Sequence, residues 1–211
     1  MTLQVYCVNI WAMKAGLNRN RVLATARELV QREGLQALSM RRLGELLGVE
    51  AMALYRHVRN KDDLLDALRD DVIAPVATTR KRSSWQAEIR GLARASRAAL
   101  LAAPALAPLF AQRPALTTAT LPLAERAITA LARAGVPPRR LLGTYESLLA
   151  FVIGHVLLEL GLAMHGAPAV TLDPDHHPTL SRLSRAIEGH SAEASFECGL
   201  DLFLHGIAAT M

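Results

Sequence analysis

Residues 39–57 read SMRRLGELLGVEAMALYRH. Leu43, Leu46 and Leu47 fall at helical spacing and face inward together, and Ser39 is the residue type that caps a helix start. Gly48 then breaks the pattern, as a tight turn between two helices requires a residue that takes positive φ readily. A second short helix follows over 51–57. Val49, Leu54 and Val58 turn inward to join Leu43 and Leu47, which leaves Ala51, Met52, Ala53, Tyr55, Arg56 and His57 facing out. In a helix-turn-helix, this second helix docks in the major groove and reads base edges with its first residues. A plain three-helix packing unit with a solvated basic face has the same spacing.

The flanks extend the unit. Over 19–31, Val22, Ala26, Leu29 and Val30 share one helix face, with Asn18 as cap and Gly34 as stop. Asn60 opens a fourth helix, with Asp62 and Asp63 in its electropositive first turn and Leu64, Leu65, Leu68 and Val72 along it towards Pro75. Residues 18–61 hold nine bases against four acids, a surplus equal to the whole chain's +5. Phosphate neutralisation supplies most sequence-independent DNA affinity, so this is where that affinity belongs. Tyr55 and Lys61 flank the second helix and can both donate to phosphate oxygens.

The other residues continue in helices. The chain is 51% hydrophobic and 4% aromatic, a mix rich in strong helix formers, and no strand-like alternation occurs. The expected fold is all-α: a three-helix helix-turn-helix domain over 18–64, then a second helical domain over 65–211, to which the family resemblance described below assigns ligand binding and dimerisation. Residues 78–84 form a linker with the basic run Arg80-Lys81-Arg82. Ser83 and Gln86 resemble a capping box before a helix bearing Trp85, Ile89, Leu92, Ser96 and Leu100. Prolines 104, 108 and 114 divide the next segment, and 116–134 reads as a helix ended by Gly135. Residues 141–164 form a long helix whose only acids are Glu146 and Glu159, and such a helix must be buried on most sides. After a loop, two more helices are expected over 179–189 and 191–209.

Other classes find less support. Cys7 and Cys198 form neither a CxxC pair nor a zinc pattern, which suits a reduced, cytoplasmic chain. Residues 1–13 are apolar but too short to span a bilayer, and Lys14 follows the apolar run, so 1–17 is read as an N-terminal extension and no membrane partner is expected. A metal-dependent enzyme built on Asp173, Asp175, His176 and His177 is one rival. That cluster sits in a single Pro-rich loop, without a neighbouring nucleophile, so neither catalysis, metal nor cofactor is expected. A DNA-binding protein without an inducer is the other rival.

Residues 19–68 closely resemble the DNA-binding domain of the TetR family. The shared pattern runs through Gly34-Leu35, Ala37-Leu38-Ser39-Met40-Arg41, Leu43-Gly44, Leu47-Gly48-Val49, Leu54-Tyr55, His57-Val58, Asn60-Lys61 and Leu64-Leu65. The rest is similar, at fewer positions, to the C-terminal domain of tetracycline repressors: Ser84-Trp85-Gln86, Arg113-Pro114, Gly154 with Val156-Leu157, and 196–204. The resemblance implies a regulator, most simply a repressor, that binds palindromic double-stranded operator DNA as a homodimer and is released by a small-molecule effector. By position it implies that Met40, Arg41, Ala51, Met52, Ala53, Tyr55, His57 and Lys61 touch DNA. Arg41 suits guanine, while Ala51 and Ala53 are left with thymine methyls.

The same resemblance implies a pocket lined by Trp85, Leu109, Phe110, Gln112, Tyr145, Phe151, His155 and Glu159. His155 and Glu159 lie four apart, so they either bond a ligand together or pair with each other or with a second subunit. The positions that hold magnesium-bound drug in tetracycline repressors are matched here by Leu109 and Gln112, and an earlier pocket histidine by Ala77. A magnesium–tetracycline ligand is therefore not expected. Dimerisation is implied for helices 141–164 and 191–209, packed as a four-helix bundle. Ligand binding is implied to swing the helix over 61–77.

Overall fold

The computed structural model describes residues 16–112, 116–165, 173–183 and 191–209. Among them are ten α-helices and no strand. The chain divides into two compact units, the first ending at Leu68 and the second starting at Arg69. The division falls inside one continuous helix.

In the first unit, α1 (Arg19–Glu33) starts where the Asn18 side chain accepts the Arg21 N–H at 2.9 Å, and it stops at Gly34 with φ +82°. A 3-10 turn (Leu35–Ala37) leads to α2 (Met40–Leu47), whose cap is the Ser39 hydroxyl accepting the Arg42 N–H at 3.1 Å. Gly48 ends α2 in the left-handed region, at φ +68°. Helix α3 is shorter than the sequence suggests, Ala51–Leu54. Beyond it the Arg56 and His57 N–H groups bond three residues back, and Arg19 takes the His57 carbonyl at 2.7 Å. These i→i−3 bonds replace the α-helical pattern, and the segment tightens into a turn before α4 (Lys61–Ala77).

Val22, Ala26, Leu29, Val30, Leu38, Leu43, Leu47, Leu54, Val58, Leu64 and Leu68 form the buried interior of this unit. Leu46, expected inside, is exposed, and Val49 is half-buried. The reason is Gly44. A Cβ there would lie 2.8 Å from the Val49 carbonyl oxygen and 3.2 Å from the Ala51 nitrogen. The α2 surface is therefore pressed against the start of α3 at Leu43, Gly44 and Leu47, and Leu46 is rotated to its edge.

The second unit continues through α5 (Trp85–Leu101), α6 (Pro108–Gln112), α7 (Leu121–Arg133), α8 (Pro138–His165), α9 (Pro178–Arg182) and α10 (Ala192–Ala209). The α5 cap is Ser84, accepting the Ala87 N–H at 3.1 Å, rather than Ser83, whose carbonyl is taken by Arg133. Helix α7 begins five residues later than expected, because Thr117 and Thr120 close a turn on each other first: the Thr117 N–H donates to the Thr120 hydroxyl at 2.8 Å.

A buried ion pair ties three helices of this unit. Arg126 on α7 donates to Glu88 Oε1 on α5 at 2.6 and 3.0 Å. Its other nitrogen caps the end of α4, donating to the Ala77 and Thr79 carbonyls at 2.7 and 2.9 Å. Burial pushes the Glu88 carboxyl up, but the bonds from Arg126 and the Arg82 N–H outweigh it and hold it below the usual carboxylate range. Helix α8 is long and apolar enough to cross a bilayer by length and composition alone. Yet Tyr145, Leu148, Val152 and Val156 on it are buried in the core. Its remaining apolar residues are not: Leu158 is 71% exposed and Met164 79%. The expectation of burial on most sides is not met within a single chain.

Candidate nucleic-acid interface and ligand cavity

The short α3 owes its position to its neighbours. Gly48 turns the chain, Gly44 admits the Val49 carbonyl, and Leu54 and Val58 anchor the inner side at 0% and 2% exposure. What this leaves outward is mixed. Met52 is 71% exposed, and Tyr55 is also exposed, whereas Ala51, Ala53 and His57 are half-buried. On α2, Arg41 carries a side chain 90% exposed and Met40 is half-buried; Lys61 at the head of α4 is exposed. Arg41 and Ala51 border one shallow groove together with Glu45, Gly48 and Glu50.

The electrostatics separate two kinds of base. Arg42 is held by Glu33 at 3.0 Å, and that bond raises its already high pKa further. Arg19 and Arg59 both reach Asp63, whose carboxyl is held low first by the Arg59 backbone N–H and also by the Arg19 charge, against an opposing effect of burial. These three are structural. Arg41 meets only Glu45, at 3.6 Å on an open surface, a pair worth little and easily exchanged for a phosphate or a base edge. The two acids at the groove, Glu45 and Glu50, were not singled out from sequence; they narrow the set of anions this surface accepts.

The second unit encloses a cavity of about 50 Å³. Arg69 and Ile73 of α4, Ser96 and Leu100 of α5, Phe110 of α6, Thr120 and Leu123 at α7, and Tyr145, Leu149, Val152 and Ile153 of α8 line it. Of the pocket residues expected from sequence, Phe110 and Tyr145 are here. Leu109 is buried but faces elsewhere, Gln112 is exposed, and Trp85 is half-buried against the core at the start of α5.

Phe151, His155 and Glu159 belong to a different cluster. Phe151 stacks on Phe196 with centroids 5.3 Å apart, and His155 meets both rings edge-on. Glu159 accepts two bonds from Arg97, at 2.8 and 3.1 Å. No bond joins His155 to Glu159; each has a partner within the chain. A signal for this existed in sequence: Arg90, Arg94 and Arg97 make a basic stripe on α5, and Glu193, Glu197 and Asp201 an acidic one on α10. Arg94 and Arg90 indeed bond Glu197, at 2.7 and 3.2 Å, and Arg90 also meets Asp201.

In the 173–177 loop, His176 Nδ1 and Asp173 Oδ2 are 2.7 Å apart in an exposed turn. No three His, Cys, Asp or Glu side chains are grouped to hold a metal among the described residues. Residues 1–15, most of the N-terminal extension, and the Arg113-Pro114 pair lie outside the described residues.

Comparison with known proteins agrees with this division. Residues 22–68 match the profile of bacterial regulatory proteins of the tetR family, and residues 78–211 that of the tetracyclin repressor-like C-terminal domain. The tetracycline repressor protein class A from transposon 1721 of Escherichia coli is 32% identical over 198 residues, covering 91% of each chain. An HTH-type transcriptional regulator of Saccharopolyspora erythraea is 30% identical over 203 residues, covering 92% of this chain and 86% of that protein. The solved structure of the Streptomyces coelicolor TetR family protein ActR in complex with actinorhodin matches with a TM-score of 0.80 at 28% identity, over 93% of this chain and 97% of that one. An exposed, preset α3 in the first unit and a lined cavity in the second thus meet matches over both parts of the sequence, and the chain belongs to the TetR family of transcriptional regulators.

Proposed function

We propose that the chain is a cytoplasmic repressor that binds palindromic duplex DNA as a homodimer and is released by a small organic effector. Binding, not catalysis, is its activity. The carrying observation is the side of α3 and α2 that stays open, Met52, Tyr55 and Arg41, while Leu54 and Val58 hold the helix from beneath. Arg41, Met52, Ala51 and Ala53 read bases; Met40 and His57 flank them; Tyr55 and Lys61 hold phosphates.

The dimer rests on the open apolar faces of the last long helices. Leu158, Leu162 and Met164 of α8 and Leu202 of α10 are all exposed in the single chain. A second copy is the occupant that suits them, because a two-fold pair buries the same face twice. Tetracycline repressor and actinorhodin-bound ActR, as relatives, support an effector in the second unit. The cavity wall includes Arg69 and Ile73 of α4, the helix whose earlier residues Leu64, Leu65 and Leu68 belong to the DNA-binding unit. A ligand larger than the cavity displaces that wall, and the ligand-bound form is then the one that fits DNA less well.

Selection of bound fragments from a random duplex pool tests this. The expected result is a palindrome with half-sites about one helical turn apart and a steep loss of affinity with salt. Arg41→Ala weakens binding by about 1–3 kcal/mol and relaxes one base position without lowering Tm. No retarded complex at low salt overturns the proposal.

A further inference from the structure

The polar lining of the cavity restricts what enters it. Tyr145 is 2% exposed and lines the cavity, yet its phenol makes no hydrogen bond among the described residues. Burial alone pushes its pKa up, with no bonded partner contributing. The phenol lines the cavity, so its free O–H can donate to a ligand oxygen placed against it. The Ser96 hydroxyl on the facing α5 is likewise without a bond. Thr120, by contrast, is occupied, donating to the Thr117 carbonyl at 3.1 Å.

Charge points the same way. Arg69 is the one charged residue in the described lining, and no acid lines the cavity. Its guanidinium is held by Asp70 at 3.0 Å, and Asp70 Oδ1, which is not part of the described lining, also accepts the Thr117 hydroxyl at 3.2 Å. Leu100, Leu123, Leu149, Val152, Ile153 and Phe110 supply the remaining wall. A cation entering here loses its water and finds no carboxylate in the described lining.

We propose that the effector is a largely apolar, neutral or anionic organic molecule whose carbonyl or carboxylate oxygen accepts hydrogen bonds from Tyr145 and Ser96, at the Arg69 side of the cavity. This rests on the cavity being the effector site. It excludes amines and metal chelates carrying net positive charge.

Four probes matched in ring and size separate the possibilities: ethylbenzene, acetophenone, phenylacetate and phenethylamine, each titrated by calorimetry into the full chain and into Tyr145→Phe. Acetophenone and phenylacetate bind the native chain more tightly than ethylbenzene, and phenethylamine most weakly. Tyr145→Phe lowers the affinity for the two acceptors about tenfold and leaves ethylbenzene unchanged. The variant keeps its Tm, because the phenol it removes makes no hydrogen bond among the described residues. Equal losses for ethylbenzene and acetophenone, tight phenethylamine binding, or a fall in Tm each overturn the acceptor assignment while the cavity stands. No binding by any probe removes the cavity as effector site, and retardation of duplex DNA by the same preparation then shows the DNA-binding half intact.

Discussion

The two units are held together in different ways. The first is built from neighbours in sequence: Asn18 caps α1, Ser39 caps α2, Gly48 turns the chain, and Asn60 accepts the Asp63 N–H at 2.8 Å to open α4. The second is tied across long stretches of chain: Glu88 to Arg126, Arg97 to Glu159, Arg90 and Arg94 to Glu197. Local ties define a small surface with little freedom, as a groove-reading helix requires. Distant ties fasten helices to each other while leaving a cavity between them.

The sharpest way to break this contrast is at the buried pair. Glu88→Ala leaves Arg126 buried without its counter-charge and the Arg82 N–H without an acceptor. Urea unfolding of the second unit is expected to lose about 3–5 kcal/mol. A loss below about 1 kcal/mol would mean that the long-range ion pairs are incidental and the apolar core alone sustains that unit.

The equivalent test of the first unit is Gly44→Ala. The added carbon meets backbone, at the Val49 carbonyl and the Ala51 nitrogen, so no side chain can yield. The cost is roughly 1–3 kcal/mol, and α3 is pushed off its position. DNA affinity therefore falls further than stability does; parallel measurement of Tm and of retardation on selected DNA checks the order.

Acid gives the smallest and most graded difference. Asp63 in the first unit, and Glu88 and Glu197 in the second, have carboxyls below their usual range. For Glu197 the Arg94 bond is the main cause. Because folding lowers these values, their contribution is complete above the unfolded values, about pH 4, and disappears as pH falls through the lower folded ones. With Glu88, Glu197 and the exposed Asp173 against Asp63 alone among the described residues, the second unit loses protection more steeply. Residue-resolved hydrogen exchange between about pH 5 and 3 measures this; equal slopes for the two units would erase the distinction.

The same division decides what was legible in the sequence. In the first unit the caps, the Gly34 and Gly48 stops and most of the interior were readable, since each depends on residues within a turn or two. The exceptions are the early end of α3, where the Arg56 and His57 N–H groups bond three residues back, and the exposure of Leu46, where Gly44 meets the start of α3; spacing encodes neither. In the second unit α5, α7, α8 and α10 were legible but the starts of α5 and α7 shifted, because Arg133 occupies the Ser83 carbonyl and Thr117 pairs with Thr120; residues 184–189 of the helix expected over 179–189 lie outside the described residues. Phe110 and Tyr145 were named for the cavity, while Arg69 and Ser96 were not. Nothing in the local pattern of α4 or α5 tells which side of each helix the distant α8 will meet. His155 and Glu159 share a helix side as expected, but their partners, Phe196 and Arg97, come from other helices.

Arg126 has an implication for how such a chain diverges. One planar side chain serves two carboxylate bonds and two terminal carbonyls at once. A lysine has a single nitrogen with which to meet them, so the exchange is not conservative despite the equal charge. Positions 88 and 126 are therefore expected to change together: a change at either leaves its buried partner unpaired, and a change at 126 also frees the last turn of α4.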